Sequence, residues 1–280
     1  YPIAGDNADG HFGNSAFGDV ADDNATDILL IEGTDADDTI SVGEEVALFG
    51  ANAISNAGLT FNVTFRFALN GVSSGDISAS IAAGTFDQFI TNLNTALNAN
   101  ATVGGKVLAI RRGVNLVFVT NGLGRTASLQ LTSGNAAFLS LGFTMNQTAI
   151  EQLRVDVTKL GVKTIAVGTW KNFVTGKPLV EQFRVAGLGG NDTLGFVQGP
   201  GALDASQLTA RSNDWVGVLD GGPGNDTLSG SNARDRIDGG VGSDTMFGFG
   251  GDDRIFGDGG NGNISDHDVF YGGQGHDDML

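Results

Sequence analysis

From Leu59 to Leu69 apolar and polar side chains alternate without a break. Leu59, Phe61, Val63, Phe65, Phe67 and Leu69 fall on one side and mostly polar residues on the other. A period of two is that of a half-buried strand. A second strand is expected at 76–81. Thr85-Phe86-Asp87-Gln88 then has the form of a capping box, and Phe86, Phe89, Ile90, Leu93, Ala96 and Leu97 recur at helical spacing. Further strands are expected near 106–111 and 115–120, around Arg112-Gly113, and near 126–132, with Leu139–Phe143 closing the region. The pattern describes a β-rich unit with one helix packed on its sheet. Strands near 152–158, 162–168 and 181–186 follow it.

In the C-terminal third the period changes to nine. Read in nines from Gly221, segments 221–229, 230–238, 239–247, 248–256 and 272–280 share one phase, and 257–271 is one slot carrying an insertion, Asn261–Asp266. An outlying copy, Gly-Leu-Gly-Gly-Asn-Asp-Thr-Leu-Gly, occupies 187–195. The sixth position is always aspartate: Asp192, Asp226, Asp235, Asp244, Asp253, Asp268 and Asp277. The eighth is always large and apolar: Leu194, Leu228, Ile237, Met246, Ile255, Phe270 and Met279. The Gly-rich first part of the repeat permits a tight turn with close backbone approach. The strand that follows turns its apolar residue inward. Near the N-terminus Gly33–Ser41 fits the same frame with Asp38 sixth and Ile40 eighth, and Asp22–Leu30 is a degenerate version.

Charge follows this division. Residues 1–45 carry 12 acidic and no basic side chains, 46–150 carry two and five, 151–186 three and six, and 187–280 fifteen and four. The last segment has neither Glu nor Lys, so its fifteen Asp point to a geometric need for the short carboxylate. The order acidic, mildly basic, acidic reads as one architecture interrupted by an insert: 1–45 as degenerate acidic coils, 46–150 as the insert, 151–220 as strands leading back with one outlying repeat, and 221–280 as regular repeats. Gly accounts for 45 of the 280 residues, but not for every third one, which excludes collagen. The net charge of -17 and pI near 4.2 argue against nucleic acid as a partner, since phosphate contacts need Lys and Arg. No apolar run reaches the ~18 residues of a membrane span. With no Cys, disulfides and Cys-ligated metals are excluded. The start Tyr-Pro-Ile, without Met or a signal-peptide pattern, is expected of a mature piece or an excised fragment.

The nonapeptide resembles the RTX (repeats-in-toxin) calcium-binding family, Gly-Gly-x-Gly-x-Asp-x-apolar-x. The resemblance implies a parallel β-roll in which two nonapeptides make one coil, so that loops on one edge belong to alternate repeats. It implies Ca2+ bound between stacked loops, by carbonyls of positions one and three plus Asp from one loop, and of positions two and four plus Asp from the next. Gly221, Pro223 and Asp226 would then face Gly240, Gly242 and Asp244. Gly230, Asn232 and Asp235 would face Phe249, Gly251 and Asp253. Gly239, Val241 and Asp244 would meet the loop of Gly257, Gly259 and Asp268, where Asp266 and His267 offer competing ligands. Gly248, Gly250 and Asp253 would meet Gly273, Gly275 and Asp277. Asp38 and Asp192 complete the expected ligand set. Ala233 replaces a fourth-position Gly, where a positive φ would cost free energy. Stacked carboxylates repel without a cation, so the metal is expected to be part of the fold.

In the insert, the order of helix, strand, Gly turn, Leu-Val-Phe strand and Leu-Gly-Phe resembles inserts of flagellar hook-associated and phage-tail proteins. This implies an interaction module with a protein or surface partner. Arg111 and Arg112 with Lys106 read as a solvated hairpin tip, with a polyanion patch as the other option. Gly71-Val72-Ser73-Ser74-Gly75 matches a nucleophile elbow, but a strand rather than a helix is expected after it. His11, His267 and His276 make no triad, and His-Glu-x-x-His is absent. Asp6–Gly10 lacks the oxygen spacing and distal Glu of an EF-hand. The sequons at Asn62 and Asn146 stand apart from the repeats, whereas those at Asn191 and Asn225 arise from the repeat itself. The expected protein is a non-enzymatic, calcium-folded structural or adhesive segment of a secreted or cell-surface bacterial exoprotein, exported by type I secretion and able to self-associate. The alternative is the accessory domain of a secreted hydrolase whose catalytic domain lies elsewhere.

Overall fold

The structure, a computed structural model, describes residues 4–5, 28–121, 127–168, 180, 182–199, 202–203, 215–258 and 266–280. The chain divides into two compact units, Tyr1–Gly43 with Leu153–Leu280, and Glu44–Gln152, against an expected insert of 46–150. The fold is mainly β. The expectations for Asp6–Gly10, His11 and most of the degenerate copy at 22–30 lie outside the described residues.

Strand β1 (Ala4–Gly5) pairs antiparallel with β2 (Ile28–Thr34), and β3 (Asp38–Phe49) follows. The first residues of β3 belong to the first unit and the rest to the insert. Within the insert, β4 (Leu59–Leu69), β5 (Val72–Ser73) and β6 (Ile77–Gly84) form a sheet in the order β5-β4-β6. Helix α1 (Phe86–Asn98) starts at the capping box: Gln88 N donates to Thr85 Oγ1 at 3.2 Å and Thr85 N to Gln88 Oε1 at 2.9 Å. A hairpin of β7 (Val107–Arg112) and β8 (Asn115–Thr120) follows, β8 pairing antiparallel with β3 through Ala47–Phe49. Strand β9 (Leu129–Gly134) pairs with β4 and leads into a four-residue helix, α2 (Ala136–Leu139).

The alternation of β4 is satisfied by burial of Leu59, Val63, Phe65, Phe67 and Leu69 against Phe86, Phe89, Leu93 and Leu97 of α1. Phe138 stacks on Phe65 with centroids 4.4 Å apart and on Phe143 at 4.8 Å. The spacing predicts one helix, and α2 is the second. It forms because Asn135 accepts the N–H of Phe138 at 2.9 Å, an N-cap on a helix too short to show as periodicity. Ser73 is the last residue of β5 and the next element is strand β6, so the strand–turn–helix setting of a nucleophile elbow is not formed.

Arg112 is no solvated tip. Its side chain is 16% exposed, it pairs with the buried Glu45 through Nη2, and its Nη1 donates to Gln152 Oε1 at 2.9 Å. One guanidinium thus ties both chain ends of the insert. Arg111 is engaged too, donating to Asn56 Oδ1 at 2.9 Å and to the Gly113 carbonyl at 2.7 Å.

The chain re-enters the first unit through β10 (Ile150–Lys159) and β11 (Val162–Gly168), an antiparallel pair. From β12 (Gln182–Leu188) and β13 (Thr193–Phe196) onward, successive strands alternate between two sheets. They are β14 (Gly217–Pro223), β15 (Thr227–Ser229), β16 (Asp235–Val241), β17 (Thr245–Gly250), β18 (Arg254–Asp258), β19 (Val269–Gln274) and β20 (Asp278–Met279). One parallel ladder runs β2-β12-β14-β16-β18-β20 and the other β3-β13-β15-β17-β19. Antiparallel neighbours such as β1, β8 and β10 make both sheets mixed. The eighth-position residues Ile40, Leu194, Leu228, Ile237, Met246 and Ile255 are buried in one core between the ladders; Phe270 is half-buried and Met279 exposed.

Candidate metal centre

The parallel register decides which loops meet. Leu219 aligns with Ile237 and Leu228 with Met246, a step of two nonapeptides. The step lengthens where Met246 meets Phe270 and Ile255 meets Met279, which absorbs the insertion. Each loop therefore lies on the next loop of its own edge. One edge stacks loops 33–38, 187–192, 221–226 and 239–244, followed by Asp268 of the next repeat. The other stacks 230–235, 248–253 and 272–277.

The sixth-position carboxylates form a ladder on each edge. Asp38 N donates to Asp192 Oδ1, Asp192 N to Asp226 Oδ1 and Asp226 N to Asp244 Oδ1, each at 2.7 Å, and Asp244 N to Asp268 Oδ1 at 2.9 Å. On the other edge Asp235 N donates to Asp253 Oδ1 at 2.8 Å and Asp253 N to Asp277 Oδ1 at 3.1 Å. Asp38, Asp192, Asp226, Asp235, Asp244 and Asp253 are all at most 2% exposed.

One oxygen of each carboxylate is thus held by the backbone. The other, Oδ2, has no hydrogen-bond partner in Asp192, Asp226 or Asp253. These bare oxygens share a place with main-chain carbonyls. A methyl group on Gly221 would lie 2.4 Å from both Asp226 Oδ2 and the Gly239 carbonyl oxygen. At Gly187 the same position is 2.1 Å from Asp192 Oδ2 and 2.5 Å from the Gly221 oxygen, and at Gly248 2.4 Å from Asp253 Oδ2 and 2.5 Å from the Gly272 oxygen. The first-position glycine is the space in which a carboxylate and a carbonyl of the next rung converge. Among the described residues no three acidic or histidine side chains gather on one point, so any cation here draws on carbonyls besides carboxylates.

Without a cation these carboxylates resist ionisation. Burial is the main cause, opposed by the backbone N–H bond and reinforced by the neighbouring aspartates; it pushes Asp226 up to about 6 and Asp253 up to about 7. Burial likewise raises Asp192, and Asp235 is pushed up to about 8. A hard divalent ion that prefers oxygen ligands suits buried carboxylates with one unfilled lone-pair face and carbonyls alongside. The donor set fits calcium.

Comparison with known families agrees. The RTX calcium-binding nonapeptide repeat matches in four copies, over 218–246, 229–264 and 265–279. These residues are RTX repeats. Neither curated proteins nor solved structures give a match to the chain. RTX repeats are calcium-binding motifs, so Ca2+ is the metal of this segment.

The RTX loops bring together most of the residues expected from their spacing. Gly222 and Pro223 lie in register with Gly240 and Val241, so the loop of Gly221, Pro223 and Asp226 sits on that of Gly240, Gly242 and Asp244. Phe249 and Gly250 align with Gly273 and Gln274, beside Gly275 and Asp277. A methyl group on Gly257 would lie 2.2 Å from Asp268 Oδ2, so the two residues face each other, while Gly259 lies outside the described residues. The outlying copy is not isolated: Leu194 pairs with Leu228 of the first regular repeat and with Ile40, on the far side of the insert in sequence. Asp38 and Asp192 therefore belong to the same ladder as Asp226. Their shared place in the nonapeptide is legible in the sequence; the unequal steps hide which loops they meet.

Two further features depart from expectation. Ala233 does not adopt a positive φ, so its replacement of Gly carries no strain of that kind. Position five builds a second ladder: Asn191 N donates to Asp37 Oδ1 at 2.8 Å, Asn225 N to Asn191 Oδ1 at 2.9 Å, Ser243 N to Asn225 Oδ1 at 2.8 Å and His267 N to Ser243 Oγ at 3.0 Å. The Asn of both repeat sequons is thus a rung of this ladder.

The raised carboxylates set a pH dependence. Unfolded aspartate titrates near ~3.9, so between about 4 and 8 the calcium-free folded state holds more protons than the unfolded one. Its stability is then present at acid pH and lost as pH rises through the folded values. In chelator, the β signal that the RTX segment retains is expected to be larger at pH 5 than at pH 8.5. Protons and calcium compete for Asp226 and Asp253, so the calcium midpoint should fall as pH rises from 5.5 to 8. A midpoint independent of pH over that range would contradict this account of the carboxylates.

Proposed function

We propose that β2, the start of β3 and strands β12 to β20 form a calcium-binding parallel β-roll, a structural or adhesive segment of a secreted or cell-surface RTX exoprotein, and that Glu44–Gln152 is a module offered to a partner. The observation that carries this reading is the pair of buried aspartate ladders with a bare oxygen on successive rungs. The carbonyls of Gly221 and Pro223 with Asp226, and those of Gly240 and Gly242 with Asp244, would hold one ion. Gly239, Val241 and Asp244 against Gly257, Gly259 and Asp268, and Gly248, Gly250 and Asp253 against Gly273, Gly275 and Asp277, would hold others. Bound calcium would supply positive charge between like carboxylates and so convert binding into folding free energy. The segment's own residues orient the loops, exclude water and space the carboxylates.

RTX proteins are typically secreted, which supports folding outside the cell, where calcium near millimolar meets or exceeds the ~10⁻⁴–10⁻³ M affinities of extracellular modules. No helix of the described residues is long and apolar enough to cross a membrane. The insert has its own apolar core, and its described residues form no acidic ladder, which supports a binding role over a metal role. The second reading, an accessory domain of a secreted hydrolase, is favoured by the RTX repeats themselves, which accompany both kinds of protein. In either reading this chain is proposed to carry no catalytic centre.

The test is circular dichroism with light scattering on the full chain, titrated from EDTA to 10 mM calcium and in parallel with magnesium. A cooperative gain of β signal in calcium alone is expected. Scatter rising at the same midpoint would support self-assembly. An unchanged spectrum in calcium would sink the reading.

A further inference from the structure

Two loops in the ladders are built differently from the rest. Loop 33–38 reads Gly-Thr-Asp-Ala-Asp-Asp and loop 230–235 reads Gly-Ser-Asn-Ala-Arg-Asp. Both carry a hydroxyl at position two and Ala at position four. In five other loops position two has a positive φ: Leu188 at 77°, Gly222 at 95°, Gly240 at 100°, Phe249 at 70° and Gly273 at 106°. Thr34 and Ser231 do not.

The difference shows at the carboxylate. Asp38 Oδ2 accepts from Thr34 N at 2.6 Å and from Thr34 Oγ1 at 2.9 Å. Asp235 Oδ2 accepts from both Ser231 N and Ser231 Oγ, the latter at 2.9 Å. The hydroxyls also accept the position-four N–H, from Ala36 at 3.3 Å and Ala233 at 3.1 Å. Asp235 Oδ1 accepts from Gly217 N at 2.7 Å, so both oxygens of this fully buried carboxylate are filled. In Asp38 the bare oxygen is Oδ1, the one turned away from its own loop's hydroxyl. In Asp192, Asp226 and Asp253, by contrast, the bare oxygen is Oδ2. Among the described residues, each of these two loops is the first rung of its edge.

We propose that loops 33–38 and 230–235 are closed by a side-chain hydroxyl in place of a cation, so that Asp235, although in phase with the RTX repeats, is not a calcium ligand. The residues at these two rungs do not fit the ion: the oxygen it would use is already shared by an N–H and an O–H. Each ladder then starts on a rung closed by its own hydroxyl, and the later rungs, which need the ion, stack on it once calcium folds the segment. This rests on the calcium reading of the remaining rungs.

Calorimetric titration of the full chain with calcium chloride separates the two. Ser231→Gly with Ala233→Gly rebuilds the common loop and is expected to bind one more calcium ion than the wild type. Asp235→Asn should leave the number of bound ions unchanged, whereas Asp226→Asn, which puts an amide nitrogen at the bare position, should lower it. Ser231→Thr keeps the hydroxyl and should match the wild type; Ser231→Ala should raise the calcium midpoint with the count unchanged. Loss of an ion in Asp235→Asn, or no gain in the double variant when dichroism shows it folded in calcium, would overturn the proposal while leaving the calcium reading intact. A wild-type chain that binds no calcium would overturn that reading and the proposal with it.

Discussion

Replacing Gly242 by Ala is expected to abolish the calcium-dependent stack at any accessible calcium concentration, while Gly250→Ala leaves it intact. Gly242 has φ +139°, and a methyl group there would lie 1.7 Å from the carbonyl oxygen of Gly224 in the rung below. That neighbour is backbone in a parallel ladder, so relief means parting two rungs and losing the carboxylate contacts on either side. Strain at a special backbone conformation together with a backbone clash belongs among the large single-residue effects, about 3 kcal/mol or more. At Gly250, position three of its loop, the nearest atom to an added methyl is Asn232 Cα at 3.7 Å, ordinary contact, and its φ is not in the left-handed region. That change should stay within about 0.5 kcal/mol. The calcium midpoint by circular dichroism checks both: a shift of at least tenfold, or no transition, for Gly242→Ala, and none for Gly250→Ala. Equal behaviour of the two variants would remove the steric reason for the repeat's glycine pattern.

Chelation should split the molecule. With EDTA in excess, amide hydrogen exchange over 215–258 and 266–280 is expected to approach unprotected rates, while the strands and helix between Leu59 and Leu131 keep their protection. At 10 mM calcium and a Kd of ~10⁻⁴ M, each site contributes about 2.7 kcal/mol by mass action. Two such sites reach the lower end of the ~5–15 kcal/mol that holds a domain together. Removing the ion also restores repulsion among carboxylates that are at most 2% exposed. The insert has no such dependence, because its core of Phe65, Phe67, Phe118, Phe138 and the α1 face is apolar throughout. Protection that persists in the repeats after chelation would mean that the core of Leu219, Leu228, Ile237, Met246 and Ile255 suffices alone; loss of protection in the insert would mean that its folding depends on the metal as well.

Much of this architecture is written locally. Asp at six and an apolar residue at eight fix which side chains meet the next rung, so the two-repeat register of 217–256 could be read without a structure. The alternation at 59–69 and the Thr85–Gln88 box are equally local. What escaped was set by tertiary position. The copy at 187–195 meets 221–229 and 33–41 at unequal steps, neither a multiple of the coil, and no period announces those. Ser231 and Thr34 were hidden for another reason: a hydroxyl at position two looks like drift from glycine until its bonds to Asp235 and Asp38 are seen. Arg112 reads as a hairpin tip because its partners, Glu45 and Gln152, are remote in sequence.

That guanidinium bears on the order in which the chain assembles. Ile40 and Leu194 are neighbours only if everything between them, the insert included, is closed into a loop. For a flexible chain the entropy of closure grows as (3/2)RT ln n. Once Arg112 joins Glu45 to Gln152, the insert counts as a short tie, and the closure becomes easier by about 1 kcal/mol. An insert that folds before the roll would deliver two distant segments as near neighbours. By the same logic, lengthening or shortening the insert changes this closure little so long as its two ends stay pinned together.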